Sequence, residues 1–321
     1  MAEDESSKLN AGFISSLISS AYRRIQYHLH STRMVYDTTY HVWLKCENEQ
    51  KTGSFKWRGA LSKLSLFSPG QSIVTASTGN HGLGVANAAI LFGLNAKIFI
   101  PASASPRKIE KLKSLGAELV LVEGDSLDAE MQGKSYAQTN AMPWVSPYND
   151  PEVIAGQGTI GVEIGKEIKH IDKAYITVGG GGLIAGVSGW LKHHHPGIDI
   201  IGCQPVNSPE MYLSILAGHV VNAPESLATL SDGSAGPLEE DSITFSLCQQ
   251  FIDRFILVSE QEIEEAICHL YRDHHLVVEG AAGVAMAAAM KDSLRRPEEV
   301  AVVVLCGGNI DPKIHQRICG Y

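Results

Sequence analysis

What most constrains this chain is a repeated alternation of short apolar strands with helical patterns, punctuated by glycine-rich turns. Residues 72–76 read as a strand, 81–92 as a helix, 97–100 as a strand, 106–115 as a helix and 119–122 as a strand. Pro106 suits the first turn of its helix, and Gly116 suits the position just past the end. A second series starts near Pro147, with a strand at 175–178, a helix at 183–193 and a strand at 198–203. Ser259 and Glu262 form a capping box for a helix carrying Ile263, Ala266, Ile267 and Leu270. An alanine-rich helix over 281–290 and a continuous apolar strand over 300–305 follow. Upstream, Ile14, Leu17, Ile18, Ala21, Tyr22 and Ile25 fall at helical spacing, and 42–46 reads as a short strand. Alternation of this kind predicts an α/β fold with mainly parallel sheets covered by helices on both faces. Residues 1–11 are polar and expected to be disordered. The longest turn-rich stretch, 226–241, is expected to line a site, as loops in such folds do.

A length of 321 residues allows two domains or one large α/β unit, and 44% hydrophobic residues suffice for a large core. The net charge is −9 without a long basic run, which argues against nucleic acid or an anionic membrane as partner. The acidic opening Met1-Ala-Glu-Asp-Glu is the reverse of a targeting leader, and no apolar run reaches the roughly 18 residues of a membrane span. Six cysteines (Cys46, Cys203, Cys248, Cys268, Cys306 and Cys319) form no CxxC pair. They suggest a reducing compartment rather than a disulfide framework or a zinc site. A cytoplasmic protein is therefore expected, with no metal assigned.

Four segments carry candidate chemistry. Val178-Gly-Gly-Gly-Gly-Leu183 joins a strand to a helix, so its amides can approach a phosphate at a helix N-terminus; close helix packing is the bland alternative. No Gly-Lys-Ser/Thr follows, so it is not a nucleotide-binding P-loop. Gly180-x-Gly182-x-x-Ala185 satisfies the dinucleotide fingerprint, but the next strand ends in Cys203-Gln204 instead of an acid, and Asp199 lies at the wrong end. In Lys51-Thr-Gly-Ser-Phe-Lys56, Lys56 is able to form a Schiff base with an aldehyde cofactor, or is simply a solvated lysine. Ser77-Thr-Gly-Asn80-His-Gly82 lies between a strand end and a helix start, where it binds a carboxylate or caps the helix. Cys306-Gly-Gly-Asn309 follows a buried strand, at the end where parallel sheets place ligands; burial alone also explains the cysteine.

In this order, the segments resemble the fold-type II pyridoxal-phosphate enzymes (tryptophan synthase β-like), and within them the threonine/serine dehydratase and serine racemase family. The matching runs also include Glu47-Asn48, Asp150-Pro151, Ile154-Ala-Gly-Gln-Gly-Thr-Ile160 and Glu279-Gly280-Ala281. The resemblance implies two domains: residues 1–62 with 148–321 as a large cofactor-binding domain, and 63–147 as a small mobile one. It implies pyridoxal 5'-phosphate on Lys56, with Phe55 against the ring and Asn80 on the ring hydroxyl. Gly179, Gly180, Gly181, Gly182 and Leu183 would hold the phosphate, and Cys306 would face the pyridine nitrogen. Ser77, Thr78, Asn80 and His81 would receive the substrate carboxylate, and a homodimer is implied.

The expected reaction is α,β-elimination of ammonia from L-threonine or L-serine, with Lys56 as catalytic base. Because Cys306 is not a carboxylate, the ring nitrogen should stay largely unprotonated, which suits elimination. Serine racemase and 3-hydroxyaspartate dehydratase are the alternatives of like chemistry, and a cofactor-binding protein without turnover is a distant one. Thr78 keeps the hydroxyl by which racemases move a proton on the opposite face, so it is the second catalytic candidate. The family's divalent-cation site maps to Gln204, Ser208 and Glu210, where one acid has been lost. Tyr148, near the expected substrate pocket, is bulky and aromatic.

Overall fold

The computed structural model describes residues 10–221 and 227–320. Residues 1–9 of the polar start lie outside these, and Asn10 already caps the first helix, accepting from the Phe13 amide. The element order is α1 (Ala11–Ile25), β1 (Met34–Asp37), β2 (Val42–Cys46), α2 (Lys56–Leu64), β3 (Ser72–Ala76), α3 (Asn80–Phe92), β4 (Asn95–Pro101), α4 (Pro106–Ser114), β5 (Glu118–Val122) and α5 (Ser126–Thr139). There follow α6 (Pro151–Glu167), β6 (Lys173–Thr177), α7 (Gly182–His194), β7 (Asp199–Pro205), α8 (Glu210–Ala217), α9 (Ile243–Phe251), β8 (Arg254–Val258), α10 (Glu260–His274), α11 (Gly280–Lys291), β9 (Ala301–Leu305) and α12 (Pro312–Cys319).

Two sheets result. The larger runs β1-β2-β9-β6-β7-β8 and is parallel except for the β1–β2 pair at its edge. The smaller, β3-β4-β5, is wholly parallel. The central strands β6 and β9 are buried at every position, as expected where helices cover both faces. The predicted strand 72–76 matches residue for residue, whereas 175–178 sits two residues early, at Lys173–Thr177, because Val178 already belongs to the turn.

Around the larger sheet, small residues let helices approach. A Cβ on Gly158 in α6 would stand 2.5 Å from Ile18, and one on Gly186 in α7 would stand 2.4 Å from the Ile154 carbonyl. The α6–α7 crossing therefore has no room for larger side chains.

A buried ionic cluster fastens α2 to this body. Arg58 donates to both carboxylate oxygens of Glu47 (2.7 and 2.8 Å) and to both of Glu163 (2.8 and 2.8 Å). Lys45 reaches Glu163 at 2.6 Å, and the Thr32 hydroxyl donates to Glu47 at 2.6 Å. All five side chains are buried. Burial alone would push Glu163 up, but Arg58 and Lys45 hold its carboxyl below the usual range. The cluster matters for function because α2 begins at Lys56.

Candidate active site

The candidate segments meet beyond the carboxyl ends of β6 and β9, where parallel sheets present their loops. The loop before α2 is sewn to the loop after β9: the Phe55 amide donates to Cys306 O (2.9 Å), and the Gly308 amide donates to Gly53 O (2.9 Å). Lys56 is thereby held in the wall of a cavity that Phe55 and Cys306 also line.

The Lys56 ammonium donates to Pro147 O at 2.7 Å and lies 5.1 Å from the centre of the Phe55 ring. Burial lowers its pKa to about 8, against the opposing pull of Cys306, Glu279 and Glu130. At pH 7 roughly a tenth of such a lysine is free amine, far more than of an ordinary lysine, and the free amine is the form a nucleophile requires.

Gly179, Gly180, Gly181, Gly182 and Leu183 line the same cavity. Gly181 has φ +85°, a conformation that favours glycine, and it begins α7 without a side-chain cap. The first amides of α7 are therefore left for an anion at the cavity. The Gly180 carbonyl is tied back by the Thr244 hydroxyl at 2.5 Å.

Cys306 is buried, and burial, followed by the Glu279 charge, raises its pKa well above that of an ordinary thiol. It is a neutral SH group here.

The turn from β3 to α3 supplies the other candidates. The Ser77 hydroxyl accepts from the Gly79 amide (3.1 Å), so neither Ser77 nor Thr78 caps α3, whose first amides stay uncapped. Ser77 and Thr78 are half-buried. His81 is narrowed by the structure. Its Nε2 is shared between the Thr75 hydroxyl (2.9 Å) and Val145 O (3.0 Å) within the smaller sheet, and burial pushes its pKa down to about 3. The ring is neutral and its Nε2 is committed to Thr75 and Val145, which leaves the buried, unpartnered Nδ1 and the main-chain N–H.

Asn80 is fixed at both ends of its amide. Its nitrogen donates to both oxygens of Glu279 (2.8 and 2.9 Å), and its oxygen accepts from Asn309 (2.7 Å). Glu279 is the residue to which the sequence reading assigned no role. It is buried, and burial lifts its pKa to about 7 in spite of the Asn80 bonds. It precedes α11 at the capping position yet caps nothing. An acid in front of an alanine-rich helix that fails to cap it was the only local sign of another use.

Tyr148 packs on the glycine turn, where a Cβ on Gly180 would stand 2.4 Å from its ring, and its hydroxyl accepts from the Glu239 amide (3.0 Å). The described part of the 226–241 stretch thus does line the site, through Gly233 and Ser234, and Glu239 anchors Tyr148, while Ser226 lies outside the described residues. At the expected cation positions, Gln204 accepts from the Tyr212 amide (2.8 Å), and Ser208 donates to Glu210 (2.7 Å).

A lysine amine, an uncapped glycine turn, an aromatic face and a neutral thiol around one cavity fit an aldehyde cofactor bearing a phosphate and an aromatic ring. They do not fit a dinucleotide, since β7 still ends without an acid for a ribose.

Comparison with known proteins agrees. The chain is 39% identical over 312 residues to an L-threonine ammonia-lyase of Thermotoga maritima, covering 94% of this chain and 77% of that protein. It is 34% identical over 285 residues to the catabolic L-threonine dehydratase of Escherichia coli, covering 87% and 86%. Among solved structures it superposes on threonine deaminase isoform 2 of Solanum lycopersicum with a TM-score of 0.90 at 30% identity, covering 97% of this chain and 94% of that one. Maize serine racemase gives a TM-score of 0.87 at 28% identity, with 94% and 95% covered. Residues 25–307 match the family model described as pyridoxal-phosphate dependent enzyme. With its two mainly parallel, helix-covered sheets and its lysine-bearing cavity, the chain belongs to the fold-type II pyridoxal-phosphate-dependent enzymes, related to threonine dehydratases and serine racemases.

Proposed function

We propose that this enzyme is an ammonia-lyase that converts L-threonine or L-serine to a 2-oxo acid and ammonia by α,β-elimination. One observation carries the reading: the Lys56 amine, with its pKa lowered to about 8, shares a cavity wall with the uncapped Gly179–Gly182 turn. The relatives named above, threonine ammonia-lyase and threonine dehydratase, support the substrate class.

When bound, pyridoxal phosphate supplies an electron sink that weakens the Cα–H bond of an attached amino acid. The chain does the rest. Lys56 would hold the cofactor, and its amine would take the Cα proton. The amides of Gly179, Gly180, Gly181, Gly182 and Leu183 would hold the phosphate, with Phe55 against the ring. Asn80, oriented by Glu279 and Asn309, would bind the ring hydroxyl. Cys306, a neutral thiol, would meet the ring nitrogen without protonating it as a carboxylic acid would. The substrate carboxylate enters the 77–82 turn, bound by Ser77, Thr78, Asn80 and the main-chain N–H of His81. Tyr148, anchored by Glu239, limits the volume beside the substrate side chain. Thr78 donates to the carboxylate and is the group able to exchange a proton on the face opposite Lys56.

Under this proposal residues 63–147 form the small domain that moves against 1–62 and 148–321 to exclude water. The enzyme works as a homodimer in the cytoplasm. No described helix is long and apolar enough to cross a membrane.

The test is an assay of cofactor-loaded protein with L-serine, D-serine, L-threonine and L-threo-3-hydroxyaspartate, measuring 2-oxo acids and chiral amino acids together. Oxo acid from L-threonine or L-serine without inverted amino acid is expected. Inverted serine as the main product would move the enzyme to the racemase side and make Thr78 a base. Oxo acid from 3-hydroxyaspartate alone would reassign the substrate.

A further inference from the structure

At the outer edge of the larger sheet, two imidazoles and a buried carboxylate converge. Asp37 ends β1, and its Oδ1 accepts from the amides of Thr39 (2.9 Å) and Tyr40 (2.7 Å), which locks the side chain in its own turn. Its Oδ2 faces His269 Nε2 at 2.5 Å and His274 Nε2 at 2.8 Å, both supplied by α10. The three ligand atoms lie within 4.8 Å of one another. On its far side, His269 Nδ1 stands 3.1 Å from Asp273 Oδ2.

This arrangement does not balance with neutral rings alone. A neutral imidazole carries a single N–H, with a lone pair on the other nitrogen. His269 has a carboxylate oxygen at each nitrogen, so one lone pair would point at a negative charge whichever tautomer is chosen. A positive charge must be taken up, as a proton or as a metal ion. An ion on the Asp37 side leaves Nδ1–H to donate to Asp273, the carboxylate–histidine–metal relay that orients metal-binding histidines. Two imidazole nitrogens and one carboxylate form a donor set for Zn2+, with water as the fourth ligand. They do not suit Ca2+ or Mg2+, which take oxygen.

We propose that Asp37, His269 and His274 bind one Zn2+ ion, which staples the turn after β1 to the end of α10. Tetrahedral Zn2+ with bonds of ~2.0 Å sets its ligand atoms ~3.3 Å apart, so the nitrogens and oxygen must spread by roughly half an ångström or more on binding. His274 can give way, since it is the last residue of α10 and is half-buried. The site departs from the sequence reading, which expected no metal. His269 and His274 have the spacing of a zinc-binding histidine pair, but no local pattern reveals the third ligand, because Asp37 is 232 positions from His269.

The experiment uses the holoenzyme, freed of metal with a chelator, desalted, and titrated with ZnCl2 in the absence of amino acid. Zinc is counted after desalting, and Co2+ is substituted to read the ligand-field bands of a tetrahedral nitrogen/oxygen site. One zinc per chain and a higher thermal midpoint are expected. His274→Ala and His269→Ala should abolish both effects, and Asp273→Asn should weaken binding ~10–100-fold. A Cys268→Ser/Cys319→Ser double variant should bind as the parent does. If His269→Ala does not fold, the half-buried His274→Ala decides alone. No zinc uptake by the parent would overturn the proposal and leave a triad held by a proton. Full uptake by His274→Ala would overturn it as well.

Discussion

Arg58→Met is the sharpest test of how the chain holds Lys56 in place. The guanidinium makes four hydrogen bonds of 2.7–2.8 Å to two buried carboxylates, and methionine keeps the length of its stem but none of the charge. After the substitution, Glu163 retains Lys45 at 2.6 Å, but Glu47 retains only the Thr32 hydroxyl. A buried carboxylate without a cationic partner is the costly outcome, since breaking such a pair from one side destabilises by about 3–5 kcal/mol. At roughly 2–4 °C per kcal/mol for a body of this size, the thermal midpoint should fall by ~6–20 °C. The assay is the midpoint of the holoenzyme at fixed scan rate and fixed cofactor concentration, because both alter the value. Cofactor retention should weaken as well, since α2 starts at Lys56. The double variant Arg58→Met/Glu47→Gln removes the orphaned charge and should recover part of the loss. An Arg58→Met midpoint within ~2 °C of the parent, or a double variant no more stable than the single one, would refute the reasoning.

Two further outcomes follow from the titratable groups of the cavity. The rate at which apoenzyme takes up pyridoxal phosphate should rise with pH about a midpoint near 8, where Lys56 loses its proton; a midpoint near the ordinary lysine value of 10.5 would remove the nucleophile argument. Glu279 has a folded pKa of about 7 against an ordinary 4.5, so its stabilising contribution is fully present below 4.5 and lost as pH rises through 7. Glu279→Gln should flatten the fall in apoenzyme stability across that window by on the order of 3 kcal/mol at most, and denaturant melts with the parent's slope would contradict the assignment.

Much of the alternation was legible because the central elements carry strong local signals. Ser259 with Glu262 does form a capping box, and the apolar run of β9 is buried throughout. Several of the elements that escaped lie at edges or bury little. β1 is four residues long, and β8 is half-buried along most of its length, so neither shows a clean period. α5 buries only Ala129, Gly133 and Ala137, which leaves almost no apolar stripe, although Asp125 and Asp128 form a readable capping box. Asp150 followed by Pro151 was an equally plain start for α6.

The site divides along the same line. Lys56 and the Gly179–Gly182 turn could be found because their chemistry depends on their own local backbone: a helix start in one case, a strand-to-helix turn in the other. The commitment of His81 to Thr75 and Val145 could not, since the hydroxyl and carbonyl that claim its ring become neighbours only once β3 lies beside the 143–145 segment. Glu279 meets Asn80 across 199 positions, and Glu239 meets Tyr148 across 91. Those two contacts join the smaller sheet's first turn and the 227–241 loop to the body that carries Lys56. They therefore decide how the substrate side of the cavity is shaped, while the cofactor side rests on local motifs. That division explains why the family and the cofactor can be read from short segments, whereas the preferred amino acid depends on Tyr148 and its partners and calls for the substrate panel.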